Sequence, residues 1–223
     1  MSPSKFVPPP DDIIARLGPP VTETVFVEEQ TFLIRRPGNS DQPIDHENPD
    51  GYTPYWAELW PGARMLAKVI SRETWPNGGE ALELGCGLGL PGIVGLSRGL
   101  AVTFSDFDDC ALRFAADNAR LNGFRDFPTL LLDWRHPPTD HPFATIFGAD
   151  LIYESAHAEL LANVIRRMLA PGGVCWLTDL ERIPARLLHD ALAQAGLSFE
   201  KQTVRAGEPG GRRLKGTLYR IRA

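Results

Sequence analysis

The sequence predicts an α/β fold, a mostly parallel sheet with helices on both faces that ends in an antiparallel pair of strands behind an N-terminal extension. From residue 62 onward, short apolar runs alternate with helix-length amphipathic segments. The glycine-rich stretch ALELGCGLGLPG, residues 81–92, joins one such run to the next helix. The last two runs, SFEKQTVR and RLKGTLYRIR, are separated only by AGEPGG, which leaves no room for a crossover helix.

Residues 1–53 form the expected extension. DDIIARL, 11–17, reads as a short helix, and VTETVFVEEQTFLIRRP reads as a hairpin turning around Glu28, Glu29 and Gln30. The Pro, Gly, Asn and Asp content of 37–54 makes a loop, one that could fold over a site. Residues 54–223 form the main domain. Ala63, Leu66, Ala67 and Ile70 fall at i, i+3, i+4 and i+7, which predicts a helix over 62–72. Strands are expected at 80–84, 101–105, 127–132, 143–149 and 174–178, and helices at 91–98, 108–122, 156–169 and 182–195. Gly99, Gly123 and Gly196 stand where helix C-caps belong, Asp108 is an N-cap, and Pro171-Gly172-Gly173 is a turn into a strand. Five parallel strands plus the terminal hairpin make a seven-stranded, Rossmann-like sheet.

At 223 residues, 43% apolar and 23% charged, the chain is long enough for one sizeable core, and the composition is that of a soluble globular protein. Its net charge of −5 and its lack of a long basic block argue against nucleic acid as a main partner; Arg212, Arg213 and Lys215 read as a solvated hairpin tip. No apolar run is long enough to span a bilayer and the Pro-rich start lacks a signal core, so no membrane partner and a cytoplasmic location are expected. Cys86, Cys110 and Cys175 form no C-x-x-C pair and suit reduced thiols. His46, His136, His141, His157 and His189 lack metal-ligand spacing, and no metal is expected.

Gly85, Gly87 and Gly89 end a strand and open a helix, where the missing Cβ lets a ligand approach the backbone closely. A dinucleotide fingerprint would require a third glycine at position 90, which is Leu90. Asp106 ends the next strand, at the offset where a carboxylate accepts bonds from both ribose hydroxyls. A ribose without a pyrophosphate is the implied ligand.

ELGCGLG with the downstream Asp106 resembles the S-adenosylmethionine site of the seven-strand class I methyltransferases, over roughly 54–222. PYWAELWPG (54–62), LDW (132–134) and DLIY (150–153) are similar to segments of the protein-lysine methyltransferase group and its bacterial relatives. The resemblance implies S-adenosyl-L-methionine as cofactor, held by Trp60, Glu83, Gly85, Gly87, Gly89, Asp106, Phe107, Asp133, Trp134 and Asp150. It implies a transfer centre at Asp150 and Tyr153. Asp133 would bond the adenine amino group or cap a turn, and Trp134 would line the adenine slot or be core. Trp60 would meet the cofactor or be buried for its area alone. Glu58, within an aromatic segment, would hold the cofactor's amino acid end, face the substrate, or stay solvated. Asp179 and Glu154 are further candidates for substrate contact, and Cys86 is a small residue that fits the loop.

The implied activity is methyl transfer to a protein lysine. A small-molecule acceptor, or an adenosyl-binding domain without catalysis, remains the alternative.

Overall fold

The computed structural model describes residues 15, 17–38, 53–138, 141–181, 183–207 and 213–223. The expected first helix, most of the 37–54 loop and the tip of the terminal hairpin lie largely outside these residues. Among the described residues, no helix is long and apolar enough to cross a membrane.

The expected N-terminal hairpin is present. β1 (Val21–Val27) pairs antiparallel with β2 (Gln30–Arg36) in a sheet of its own. Strict alternation puts Val25, Val27, Phe32 and Ile34 on the buried face. Glu28 takes the turn with φ 53°, and its carboxylate meets Lys68 at 3.3 Å and Arg72 at 2.9 Å. Burial raises the Glu28 pKa, but the bonds from Arg72 and Lys68 outweigh it and hold the pKa below the usual value.

Lys68 and Arg72 belong to α1 (Pro61–Arg72), which starts on proline, a residue suited to a first helical position because its missing N–H has no partner there anyway. A main sheet follows: β3 (Glu80–Leu84), β4 (Ala101–Asp106), β5 (Thr129–Leu131), β6 (Phe143–Ala149), β7 (Leu169–Asp179), β8 (Ser198–Ala206) and β9 (Leu214–Arg222). Its order is β5-β4-β3-β6-β7-β9-β8; the first five strands run parallel, and β9 is antiparallel to both β7 and β8. The helices between are α2 (Leu90–Ser97), α3 (Asp109–Leu121), α4 (His157–Met168) and α5 (Ala185–Gln194).

Strand alternation divides the interior into two cores. Ala81, Phe104, Phe147, Trp176 and Leu218 pack with α1, α2, α3 and the hairpin. Leu82, Leu84, Ile146, Leu177 and Ile221 pack with α4 and α5. Asp108 caps α3 by accepting from Cys110 N at 2.8 Å, and Gly99, Gly123 and Gly196 follow helices with positive φ.

Some boundaries differ from the sequence reading. β5 is shorter than 127–132 because Pro128 has no N–H to donate, though its carbonyl still accepts from Phe104 N. β7 begins earlier than 174, since Leu169 already pairs with Phe143; the Pro171-Gly172-Gly173 turn is an irregularity inside the strand before Val174 resumes opposite Thr145. α5 starts at Ala185 rather than 182 because Pro184 biases the preceding residue away from helix.

The hairpin is joined to α3 by two asparagine side chains that act as rungs of a ladder. Asn118 Oδ1 accepts from Arg35 N at 2.7 Å and its Nδ2 donates to Arg35 O at 3.0 Å. One turn on, Asn122 does the same for Leu33, at 3.0 and 2.8 Å. Asn118 Nδ2 also donates to Leu88 O, inside the glycine loop, at 3.0 Å. Asn118 is fully buried, so Asn118→Ala should lower stability in urea by about 2–4 kcal/mol, since several backbone groups lose partners that water cannot replace. Asn122→Ala, at the exposed rung, should lose less than half as much. Equal losses would show that burial does not govern this ladder.

Candidate active site

At the carboxyl ends of β3 and β6, where strand order reverses, lies a cleft of about 340 Å³. Every residue the sequence singled out for cofactor or transfer lines it: Trp60, Glu83, Gly85, Gly87, Gly89, Asp106, Phe107, Asp133, Trp134, Asp150 and Tyr153. Glu58, Cys86 and Glu154 line it as well. Asp179 does not; it is buried at the end of β7, where Oδ1 accepts from Glu181 N.

The floor is the glycine loop. Gly85 has φ +54° and Gly87 φ +50°, a region L side chains rarely adopt, and a Cβ on Gly85 would meet Leu151 at 2.6 Å. Glu83, at the end of β3, is buried and accepts from Gly92 N at 3.0 Å, so its carboxylate ties the strand to the first turn of α2. Burial, and secondarily the nearby Asp106 carboxylate, push the Glu83 pKa far up against the pull of that bond. Asp106 accepts from Gly87 N at 3.0 Å and from Asp108 N at 3.1 Å, which holds its carboxylate under the loop. Burial raises its pKa to about 6, with those amides opposing the rise.

The far end differs in character. Asp133 is exposed enough to pair with Arg135, whose Nε lies 2.8 Å from Oδ1, and this bond holds its pKa below the usual value. Trp134 stands edge-on to His157, 6.3 Å between ring centres. Phe107 is 42% exposed beside Asp106, with its ring at the edge of the cleft.

The third wall joins α1 to the end of β6. Asp150 has φ +55°, strained for a non-glycine residue although aspartate tolerates it better than most. Its Oδ2 accepts from Gly62 N at 2.6 Å, a carboxylate set against the N-terminus of α1 where helix dipole and free amides favour negative charge. Thr178 Oγ1 donates to Gly62 O at 2.8 Å, so the same glycine is held from β7 as well. A Cβ at Gly62 would lie 2.4 Å from Asp150 Oδ2. Just outside, Tyr153 packs between Tyr55, 4.7 Å away, and His157, 4.3 Å away. Trp60 Nε1 donates to Tyr55 O at 2.7 Å.

Sequence reasoning missed Tyr55, Arg135 and His157 as parts of this cleft. Tyr55 was visible within PYWAELWPG; His157, four residues after Tyr153, carried a signal only once the helix start was known. The neighbouring Trp56 is mostly core, 5.3 Å from Phe114.

The likeness to known proteins agrees with this geometry. A family model described as lysine methyltransferase matches residues 48–186. The chain is 32% identical over 124 residues to an electron transfer flavoprotein beta subunit lysine methyltransferase of Xenopus laevis, covering 54% of this chain and 49% of that protein. It is 29% identical over 182 residues to the protein-lysine N-methyltransferase rrg1 of Schizosaccharomyces pombe, covering 74% and 59%. The chain thus spans about half the length of the curated relatives it matches. The crystal structure of the glycopeptide N-methyltransferase MtfA, complexed with S-adenosylmethionine, shares the fold with TM-score 0.57 at 16% identity, covering 73% of this chain and 94% of that one. Since the matched segment runs from before α1 to the start of α5 and takes in the glycine loop and the Asp150–Tyr153 turn, the chain belongs to the lysine methyltransferase family, S-adenosylmethionine-dependent enzymes of the class I fold.

Proposed function

We propose that the chain transfers the methyl group of S-adenosylmethionine to a lysine side chain of a protein, and that residues 54–223 form the transferase unit. The observation that carries this reading is the charge and chemistry of the cleft. Six acidic side chains line it, Glu58, Glu83, Asp106, Asp133, Asp150 and Glu154, against one guanidinium, Arg135, itself bonded to Asp133; burial disfavours the ionised form of Glu83, so the charge rests on the other five. An aromatic mouth of Tyr55, Tyr153, Trp60 and Trp134 accompanies them. Such a site attracts an ammonium by charge and by the faces of its rings, and repels carboxylate or phosphate acceptors.

The residues present fit the donor. Three loop glycines with positive φ, Gly85, Gly87 and Gly89, let its chain lie against the backbone, and the cleft falls in the usual range for small-molecule sites, about 300–1,000 Å³. Asp106 accepts the ribose hydroxyls, Phe107, Asp133 and Trp134 take the adenine end, and Trp60 closes over the loop. Glu83 serves by holding Gly92 and thus the loop's shape. When bound, the donor supplies a methyl group already activated on a sulfonium, so the protein need not supply a covalent nucleophile. Its own residues align the acceptor amine and exclude water. Asp150, fixed by Gly62, presents negative charge to the amine beside the Tyr153 ring.

The test is incubation with radiolabelled S-adenosylmethionine and host lysate, followed by hydrolysis of the labelled fraction. N-methyllysine in protein is the expected product. Label confined to small molecules or nucleic acid would remove the protein-lysine reading while leaving the donor intact.

The Asp106 pKa of about 6 adds a pH dependence. Ribose hydroxyls donate to the ionised form, so binding is complete above this pKa and weakens as pH falls through it. S-adenosylhomocysteine should bind about tenfold more weakly at pH 5 than at pH 7.5 in calorimetry, the ratio set by the ionised fraction. Affinity that stays level across this range would place the ribose elsewhere.

Asp150→Asn keeps an oxygen for Gly62 N but loses the charge. Donor affinity should stay within about threefold while single-turnover transfer drops by about 10²-fold or more, because the lost interaction acts on the acceptor. Loss of donor affinity with unchanged transfer at saturation would move Asp150 to the cofactor's side.

A further inference from the structure

A lysine acceptor arrives as an ammonium, with pKa about 10.4, and an ammonium has no lone pair to attack with. That proton must leave before the nitrogen can attack. Among the acids of the cleft, Asp133 is paired with Arg135, while Glu83, Asp106 and Asp150 accept backbone amides. The cleft's remaining nitrogen base is His157, the first residue of α4, only 15% exposed at its side chain, with its ring against Tyr153 and Nε2 4.0 Å from Glu154 Oε2. Glu154 is half in solvent, so it stands between this imidazole and water.

We propose that His157 is the base of the reaction: its Nε2 takes a proton from the acceptor ammonium, and Glu154 conducts that proton to solvent. This rests on the lysine reading above. An N–H bond of the ammonium breaks and its electron pair stays on nitrogen, while the proton bonds to Nε2 and leaves an imidazolium beside the Glu154 carboxylate. The freed pair then forms the N–CH₃ bond as the S–CH₃ bond breaks and its electrons remain on sulfur as a neutral thioether. The imidazolium passes its proton by way of Glu154 to water, which restores the neutral ring.

The surroundings suit a base that is neutral at pH 7. Burial lowers the His157 pKa below the usual histidine value, and Glu154 offsets part of this. From the segment after β5, the charges near the ring are Asp133 and Arg135, which neutralise each other beside Trp134. From the end of β6 come Asp150 and Tyr153, from the segment before α1 come Tyr55 and Glu58, and from the turn leading into α4 comes Glu154. No cation other than Arg135 lines the cleft among the described residues. A base whose pKa lies near the working pH combines availability with driving force better than a carboxylate of ordinary pKa.

Two measurements test the proposal. In histidine-selective NMR of the full chain saturated with S-adenosylhomocysteine, n-butylammonium, a mimic of the lysine side chain, should shift the His157 ring resonances; no shift at saturation overturns the contact. In the lysate assay at saturating S-adenosylmethionine, wild-type formation of N-methyllysine should rise with pH through the lowered His157 pKa and then level off. His157→Gln should lose ~10²-fold at pH 7 and regain most of it near pH 10, where free lysine deprotonates, with the dissociation constant for S-adenosylmethionine within about threefold of wild type. His157→Asn serves as the second variant should the first fold poorly. An equal loss at every pH, or a variant with the wild-type profile, overturns the proposal alone. Absence of N-methyllysine from every wild-type reaction overturns the lysine reading, and the proposal with it.

Discussion

The hydrogen bond from Gly62 N to the Asp150 carboxylate joins residues 88 apart, and the cleft takes its shape from that contact. It places the N-terminus of α1 over the end of β6, and this brings the PYWAELWPG segment across the mouth of the site. Tyr55, six residues before Pro61, meets Tyr153 at 4.7 Å between ring centres. The bond also accounts for two otherwise awkward features. Asp150 adopts a left-handed backbone that costs on the order of 1 kcal/mol, offset by a charge-assisted bond at a helix N-terminus. Position 62 must be glycine because any side chain would overlap the carboxylate. Thr178 adds a second hold on the same residue from β7, so three elements meet at one backbone unit.

The order of the elements was legible in the sequence because periodicity and caps are local. β3 and β6 fall on the residues that alternation and flanking turns marked, and Asp108 caps α3 as its position suggested. The glycine loop was legible for the same reason, since strand, turn and helix follow one another without interruption. What the sequence could not show are pairings across space. Asp133 looked like a ligand for adenine or a turn cap; it does cap the turn by accepting from Arg135 N at 2.9 Å, and the added pairing with the Arg135 guanidinium depends on where that side chain folds. Glu83 belonged to the motif, but its bond to Gly92 depends on how tightly α2 folds back over β3. His157 looked like one of several scattered histidines; its meaning depends on Tyr153 and Trp134, which arrive from the ends of two different strands.

The site concentrates negative charge where the protein cannot easily solvate it. Glu83 and Asp106 are buried, which penalises ionisation of each; the Asp106 charge adds to the cost at Glu83, and Asp108 adds to the cost at Asp106. Backbone amides reduce this penalty without removing it, which leaves both groups with raised pKa values. A donor that carries a sulfonium and an ammonium brings positive charge into this field, and an acceptor ammonium brings more. Cations of donor and acceptor therefore favour the ionised forms of these acids, and the cleft's affinity for them derives partly from that coupling.

The N-terminal hairpin is coupled to the same loop by a geometric near-coincidence. Four residues along a helix advance about 6.0 Å, and two residues along a strand about 6.8 Å, so asparagines at i and i+4 match strand residues at j and j+2 within the tolerance of a hydrogen bond. Asn118 and Asn122 meet Arg35 and Leu33 in this way, each side chain completing both backbone bonds of its partner as a neighbouring strand would. The mismatch accumulates by about 0.8 Å per rung, so a third rung would be out by ~1.6 Å, too far for good geometry. The helix ends at Leu121, and the strand residue two beyond Arg35 is Pro37, which has no N–H to donate, so the ladder stops at two rungs. The inner rung carries more than the hairpin's edge, because the second N–H of Asn118 donates to Leu88 O. The hairpin, α3 and the glycine loop thus share one buried amide, and any displacement of the hairpin must be felt at the loop whose shape the cleft depends on.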